Sequence, residues 1–114
     1  FDDLLAQPWV GASWEGFAVE QIASVFQQRD PLAEPYFFRT SDGHELDLLV
    51  DTQGGRWAFE VKLTAAPDAS HVRRLNQAGD LVQADRRVLI SRVREPVENG
   101  TCLSCSLGDF LRRL

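Results

Sequence analysis

Residues 36 to 63 leave few folds open. They read YFFRT, SDG, HELDLLVD, TQGG and RWAFEVKL, so that apolar-rich runs are parted by two short polar linkers. In the last run Trp57, Phe59, Val61 and Leu63 alternate with Ala58, Glu60 and Lys62, the period-two pattern of a half-buried strand. The first linker carries Asp-Gly, a hairpin signal. Strands at 36–40, 44–51 and 56–63 are therefore expected to form an antiparallel meander.

Helical patterns flank it. Ser13 is a candidate cap for a helix running to about Gln28, with Glu15 in its first turn, where the helix dipole favours an acid. The prolines of DPLAEP end that helix. Asp68 or Ser70 caps a second helix to roughly Ala78, or past Gly79 to Ala84. RVLISRV (87–93) reads as a fourth strand, REPVENG as a loop, TCLSCSL (101–107) as a fifth strand and GDFLRRL as a closing helix. The order is α-β-β-β-α-β-β-α. A strand that follows a crossover helix usually lies parallel to one already in the sheet, which predicts an α/β fold with a mixed sheet flanked by helices.

With 114 residues the chain has room for one core. Its composition, 44% hydrophobic and 25% charged, suits a globular domain. No apolar run is long enough to span a bilayer and no signal-peptide profile opens the chain, so a cytoplasmic location without membrane contact is expected. There is no methionine, which points to a piece of a longer product. Residues 1–10, beginning FDDLLAQ, read as the tail of an upstream element, and 11–114 as the domain. A net charge of −5 argues against tight non-specific nucleic-acid binding, although paired arginines such as Arg73–Arg74 and Arg86–Arg87 leave room for a basic strip. Cys102 and Cys105 have no second pair of zinc ligands, and a spacing of three on a strand sends their thiols to opposite faces, so they read as reduced, partly buried cysteines.

Three acids break the apolar pattern. On the first helix Trp14, Phe17, Ala18, Val19, Ile22, Val25 and Phe26 fill one arc, and Glu15 falls inside it while Glu20 falls outside. On the second strand Leu46, Leu48 and Val50 share one face and Glu45, Asp47 and Leu49 the other. On the third, Glu60 and Lys62 share the second face. A tight hairpin makes Asp47 and Glu60 cross-strand neighbours. Two unit charges at 4 Å repel by about 4 kcal/mol at an effective dielectric of about 20. Three carboxylates together need a cation between them or must take up protons, and Lys62 supplies only one charge. A divalent ion such as Mg²⁺ or Mn²⁺ is the expected counter-charge, held by Asp47, Glu60 and Glu15, with Lys62 as the catalytic ammonium.

Glu15, Asp47 and the Glu60-Val61-Lys62 run on α-β-β-β-α-β resemble the PD-(D/E)XK, restriction-endonuclease-like superfamily. GASWEGF (11–17), YFFRT (36–40), HELDLLV (44–50) and FEVKL (59–63) look more closely like the C-terminal domain of a family of bacterial and archaeal AAA-type ATPases. The resemblance implies a nuclease-like fold with Asp47 and Glu60 as metal ligands, Lys62 as catalytic lysine and Glu15 as a helix-borne acid. It also implies ATP binding in an upstream module of the same polypeptide. Arg39 matches the arginine before the turn, whereas Leu46 stands where the wider superfamily has proline. Two other functions compete with a DNA-cleaving domain. One is an inactive nuclease fold serving oligomerisation or regulation through aromatics such as Trp9 and Trp57, and the other is a DNA-binding module without chemistry.

Overall fold

A computed structural model describes the backbone over 8–100 and 102–114, with side chains over 13–100 and 102–114. The elements are α1 (Pro8–Arg29), β1 (Glu34–Arg39), β2 (Glu45–Thr52), β3 (Gly55–Val61), α2 (Ala69–Val82), β4 (Arg86–Ser91), β5 (Val97–Asn99), β6 (Cys102–Ser106) and α3 (Leu107–Arg113). The strands form one six-stranded sheet in the order β1-β2-β3-β4-β6-β5. β1, β2 and β3 are the expected antiparallel meander. β4 returns parallel to β3 after α2, and β6 lies parallel to β4, so the sheet is mixed. No helix among the described residues is long and apolar enough to cross a membrane.

The sheet buries both faces. On one, Ala18, Ile22 and Phe26 of α1 recur every four residues and lie with Phe110 of α3 over Phe59 and Ile90. Phe59 packs edge-on against Phe110 at 5.2 Å and parallel to Trp57 at 6.1 Å between ring centroids. Truncating a ring so enclosed costs about 3–5 kcal/mol, a large part of a typical domain's stability. On the other face Leu75 and Ala78 of α2 cover Leu49, Ala58 and Leu89. β3 and β4 are thus covered on both sides, which explains their near-continuous apolar runs.

Several expectations change. α1 begins at Pro8 rather than after a cap at Ser13, since proline suits the first helical position, where its missing N–H is no loss. The helix therefore crosses positions 10 and 11 unbroken, and Glu15 lies beyond the first turn, where the dipole no longer accounts for it. Phe17, expected on the core arc, is 54% exposed, because it sits a quarter-turn from the Ala18–Ile22–Phe26 stripe. Trp57 is half-buried among Phe26, Phe59 and Phe110 rather than open to solvent; Trp9 lies outside the described side chains.

Asp68 is the cap of α2, accepting from the N–H groups of Ser70 and His71, while His71 Nδ1 accepts from the Asp68 N–H. α2 continues through Gly79 to Val82 and closes on Gln83 in a left-handed conformation (φ 56°). Gly79 is required by packing: a Cβ there would come within 2.6 Å of Arg87 Nε. The Arg87 guanidinium lies against that helix, bonding Asp80 Oδ1 at 2.7 Å and the Asn76 carbonyl at 3.2 Å.

REPVENG, expected as a loop, contains β5, paired antiparallel with β6 at the sheet edge. All three residues of β5 are exposed, so no apolar alternation marked it. Cys102 and Cys105 point to opposite faces as expected, and both are buried. Burial raises both thiols, Cys105 to about 11, which keeps it a thiol at neutral pH.

Candidate active site

The acids gather where β2 parts from β3. Against β1, Tyr36 pairs with Leu49 but Phe38 pairs with Leu46, so β2 carries one extra residue in a β-bulge around Asp47–Leu48. The bulge corrects the expected facing. Leu48 and Val50 pack under α1, whereas Leu46 joins Leu49 under α2. A bulge re-aims a side chain and ends regular pairing, and both follow here. The β2–β3 register stops at Leu48↔Phe59. The next N–H on that edge of β3, that of Val61, donates instead to Asp47 Oδ2 at 2.7 Å. The one after, of Leu63, donates to Glu15 Oε2 at 3.1 Å. Between them the Lys62 N–H turns the other way, to the Ile90 carbonyl at 2.9 Å. Two carboxylates from different elements thus continue the ladder that β2 abandons, on amides about 6.7 Å apart along the strand.

Asp47 and Glu60 are raised above the ordinary carboxylate range, in both cases chiefly by burial. For Asp47 the Val61 N–H and the Lys62 charge pull the other way and Glu45 adds to the rise. For Glu60 Lys62 opposes burial, Asp47 reinforces it, and Arg74 and His71 oppose it more weakly. The Glu60 side chain is 11% exposed and its Oε1 lies 3.7 Å from Lys62 Nζ. That separation is an ion pair without a direct hydrogen bond. A small recess of about 70 Å³ opens here, lined by Gly43, His44, Glu45, Glu60, Lys62 and Arg74.

The Lys62 charge bears on both carboxylates and Asp47 bears on Glu60, so the three stand at one strand end. Glu15 reaches the same strand end but is engaged by the Leu63 N–H and is not among the charges that shift Asp47 or Glu60. Among the described residues no three Asp, Glu, His or Cys side chains are gathered as a metal cage. The half-buried Asp47 and the buried Glu60 nevertheless fit Mg²⁺, which takes oxygen donors and commonly uses one or two carboxylates with waters and phosphate oxygens. Asp47 and Glu60 are the residues that would hold it. Arg39 bridges Glu45 at 3.2 Å across an exposed surface, a contact that contributes little stability.

Sequence reasoning did not find Arg74 or His44 at this recess. Arg74 was indistinguishable from its exposed neighbour Arg73, and only the position of α2 brings it over Glu60. A larger hollow of about 630 Å³ lies at the opposite end of the parallel strands, walled by Trp57, Arg86, Arg87 and Phe110 among others. Size favours it, but its charges are already matched: Arg113 faces Glu98 at 3.5 Å, Arg87 faces Asp80 at 2.7 Å, and Arg86 stacks on Trp57 at 5.1 Å. A buried carboxylate of raised proton affinity, Glu60, beside Lys62 marks the smaller recess as the candidate chemical site.

Comparison with known proteins gives the chain relatives but no described activity. An uncharacterised protein of Mycobacterium bovis, Mb2031c, and one of Mycobacterium tuberculosis, Rv2008c, are each 43% identical to it over 76 residues, covering 64% of this chain and 16% of theirs. The chain thus matches a small part of much longer proteins. No solved structure matches it. Residues 10–108 match the family described as a domain of unknown function, DUF4143, and the chain belongs to that family.

Proposed function

We propose that this domain acts on DNA phosphodiesters as a divalent-metal-dependent module of the PD-(D/E)XK type, joined to an AAA-type ATPase module elsewhere in a longer polypeptide. The observation that carries the reading is the pair Asp47 and Glu60, both raised by burial, beside Lys62 at a bulged strand end. Withdrawing acids from water costs stability, and such perturbed carboxylates cluster where a site uses them. Mg²⁺ or Mn²⁺, when bound, would activate water and neutralise charge at the phosphate.

The chain's own residues hold the geometry. The Val61 N–H fixes one oxygen of Asp47, so the carboxylate enters the site already oriented. Lys62 is held loosely by Glu60, which leaves its ammonium free to meet an attacking water or a phosphate oxygen. Glu15 accepts the amide just beyond Lys62 and so steadies the strand that presents it; it acts as a positioning residue. The short span of the relatives matched by this chain supports a longer polypeptide, and an ATP-binding module within it rests on the sequence resemblance alone.

Incubation with Mn²⁺ and supercoiled, linear or single-stranded DNA tests the reading. Cleavage is expected for the native chain and should be lost in Glu60→Gln and Lys62→Met; activity that persists in both would refute it. A Gly-x-x-x-x-Gly-Lys-Ser/Thr run in the upstream coding sequence would support the attached ATPase.

An assembly role is the second reading. Phe37 is 79% exposed and Leu32 69%, more apolar surface around β1 than an isolated domain needs. Light scattering that finds a strict monomer at high concentration would remove it.

A further inference from the structure

Arg74 stands apart from the other arginines near the two recesses. It projects from the first turns of α2 into the wall that Glu60 and Lys62 share. Its hydrogen bonds among the described residues are long ones to its own helix, Nε to the Ser70 carbonyl at 3.4 Å and Nη2 to Ser70 Oγ at 3.5 Å. Among the described residues it has no ion pair, unlike Arg56, Arg87 and Arg113, which have acidic partners. A guanidinium left in this state beside an acid and a lysine is suited to a bidentate oxyanion.

The chemistry of the recess limits what that anion is. Four of its six lining residues are charged, with Glu45 and Glu60 set against Lys62 and Arg74. Its one aromatic ring is the partly buried imidazole of His44, which faces Asp42 at 3.9 Å, and no Trp, Tyr or Phe lines it for a base to stack on. Phosphate contacts position a nucleic acid, whereas base contacts read its sequence.

We propose that Arg74, together with Lys62, grips one phosphate of a nucleic-acid backbone over the Glu60 carboxylate, so that this site recognises the phosphodiester and not the base sequence. The inference rests on the nuclease reading for its substrate, but it predicts binding that needs no cleavage.

Fluorescence anisotropy in EDTA, with two labelled DNA duplexes of unrelated sequence and a labelled oligothymidylate, tests it across a KCl series. Arg74→Ala should weaken binding to both duplexes about tenfold and equally, and lower the log–log salt slope by about one. Arg74→Lys should keep the slope. Arg73→Ala, an exposed neighbour outside the recess, should change little, and all variants should melt with the native chain because both side chains are exposed. No DNA binding by the native chain, equal effects of Arg74→Ala and Arg73→Ala, or a loss that differs between the two duplexes would each overturn the proposal. Binding through Arg74 by a protein that cleaves nothing would defeat the nuclease reading and leave this one standing. Cleavage that ignores Arg74 would do the reverse.

Discussion

Asp47 has two roles that substitution can separate: it accepts a hydrogen bond from a buried amide, and it carries a charge the site resists. Val61 is fully buried, and among the described residues its N–H donates to Asp47 Oδ2 alone, at 2.7 Å. Asp47→Asn keeps an oxygen acceptor and removes the charge. Asp47→Ala removes both and orphans the amide. Leaving a buried donor unpaired costs about 1–3 kcal/mol. The two variants should therefore differ by about 2 kcal/mol, with Asn the more stable. For a chain of this length about 1 kcal/mol moves the melting temperature by about 4 °C, so the gap should be about 8 °C.

The charge is read from pH. The proton affinity of Asp47 is raised in the folded state, so the folded chain binds more protons than the unfolded one between the two values. The stability contributed by the protonated form is complete at low pH and is lost as pH rises through the folded value. Asp47→Asn should therefore match the native chain in acid and out-melt it at neutral pH. Calorimetry without metal, at acid and neutral pH, checks both parts. Equal melting of Asn and Ala variants would refute the hydrogen-bond argument, and an Asn variant no more stable than native at neutral pH would refute the charge argument.

Other outcomes follow from the same geometry. Glu60→Gln should stabilise the metal-free chain at neutral pH but not in acid, since burial and Asp47 both raise Glu60, while abolishing cleavage; a loss of melting temperature at neutral pH would contradict this. Gly79→Ala should destabilise by about 1–3 kcal/mol despite alanine's better helix propensity, because the new Cβ meets Arg87 Nε at 2.6 Å; thermal melting decides. Glu15→Ala should free the Leu63 amide, and hydrogen exchange at Leu63 should rise while Val61 stays protected. Cys102 and Cys105 should resist a thiol reagent until denaturant is added, and mass spectrometry should find no disulfide between them, because they lie on opposite faces of the sheet.

Much of the sheet was legible because its signals are local. Two short polar turns between apolar-rich runs mark the β1–β3 meander without help from elsewhere, and the Asp68 cap of α2 lies within three residues of the groups it bonds. What escaped had no local mark. β5 is three exposed residues held only by pairing to β6. Phe17 and Ala18 are neighbours in sequence, and which of them is buried depends on how α1 rolls onto the sheet.

The candidate site divides in the same way. The sequence alone determined that Glu60 and Lys62 share one strand face, through the strand period, and that a tight hairpin carries the second strand, with Asp47, beside the third. Only the tertiary structure decided how they meet. Nothing in the order of residues shows that β2 takes in an extra one, which turns Asp47 from a cross-strand neighbour into the acceptor of the Val61 amide. Glu15 and Arg74 likewise depend on where α1 and α2 dock, since a helix brings its side chains to a strand end only through packing that involves residues far away in the chain. Hydrogen bonds across a turn are encoded over a few residues; contacts between docked elements are set by the shape of the whole core.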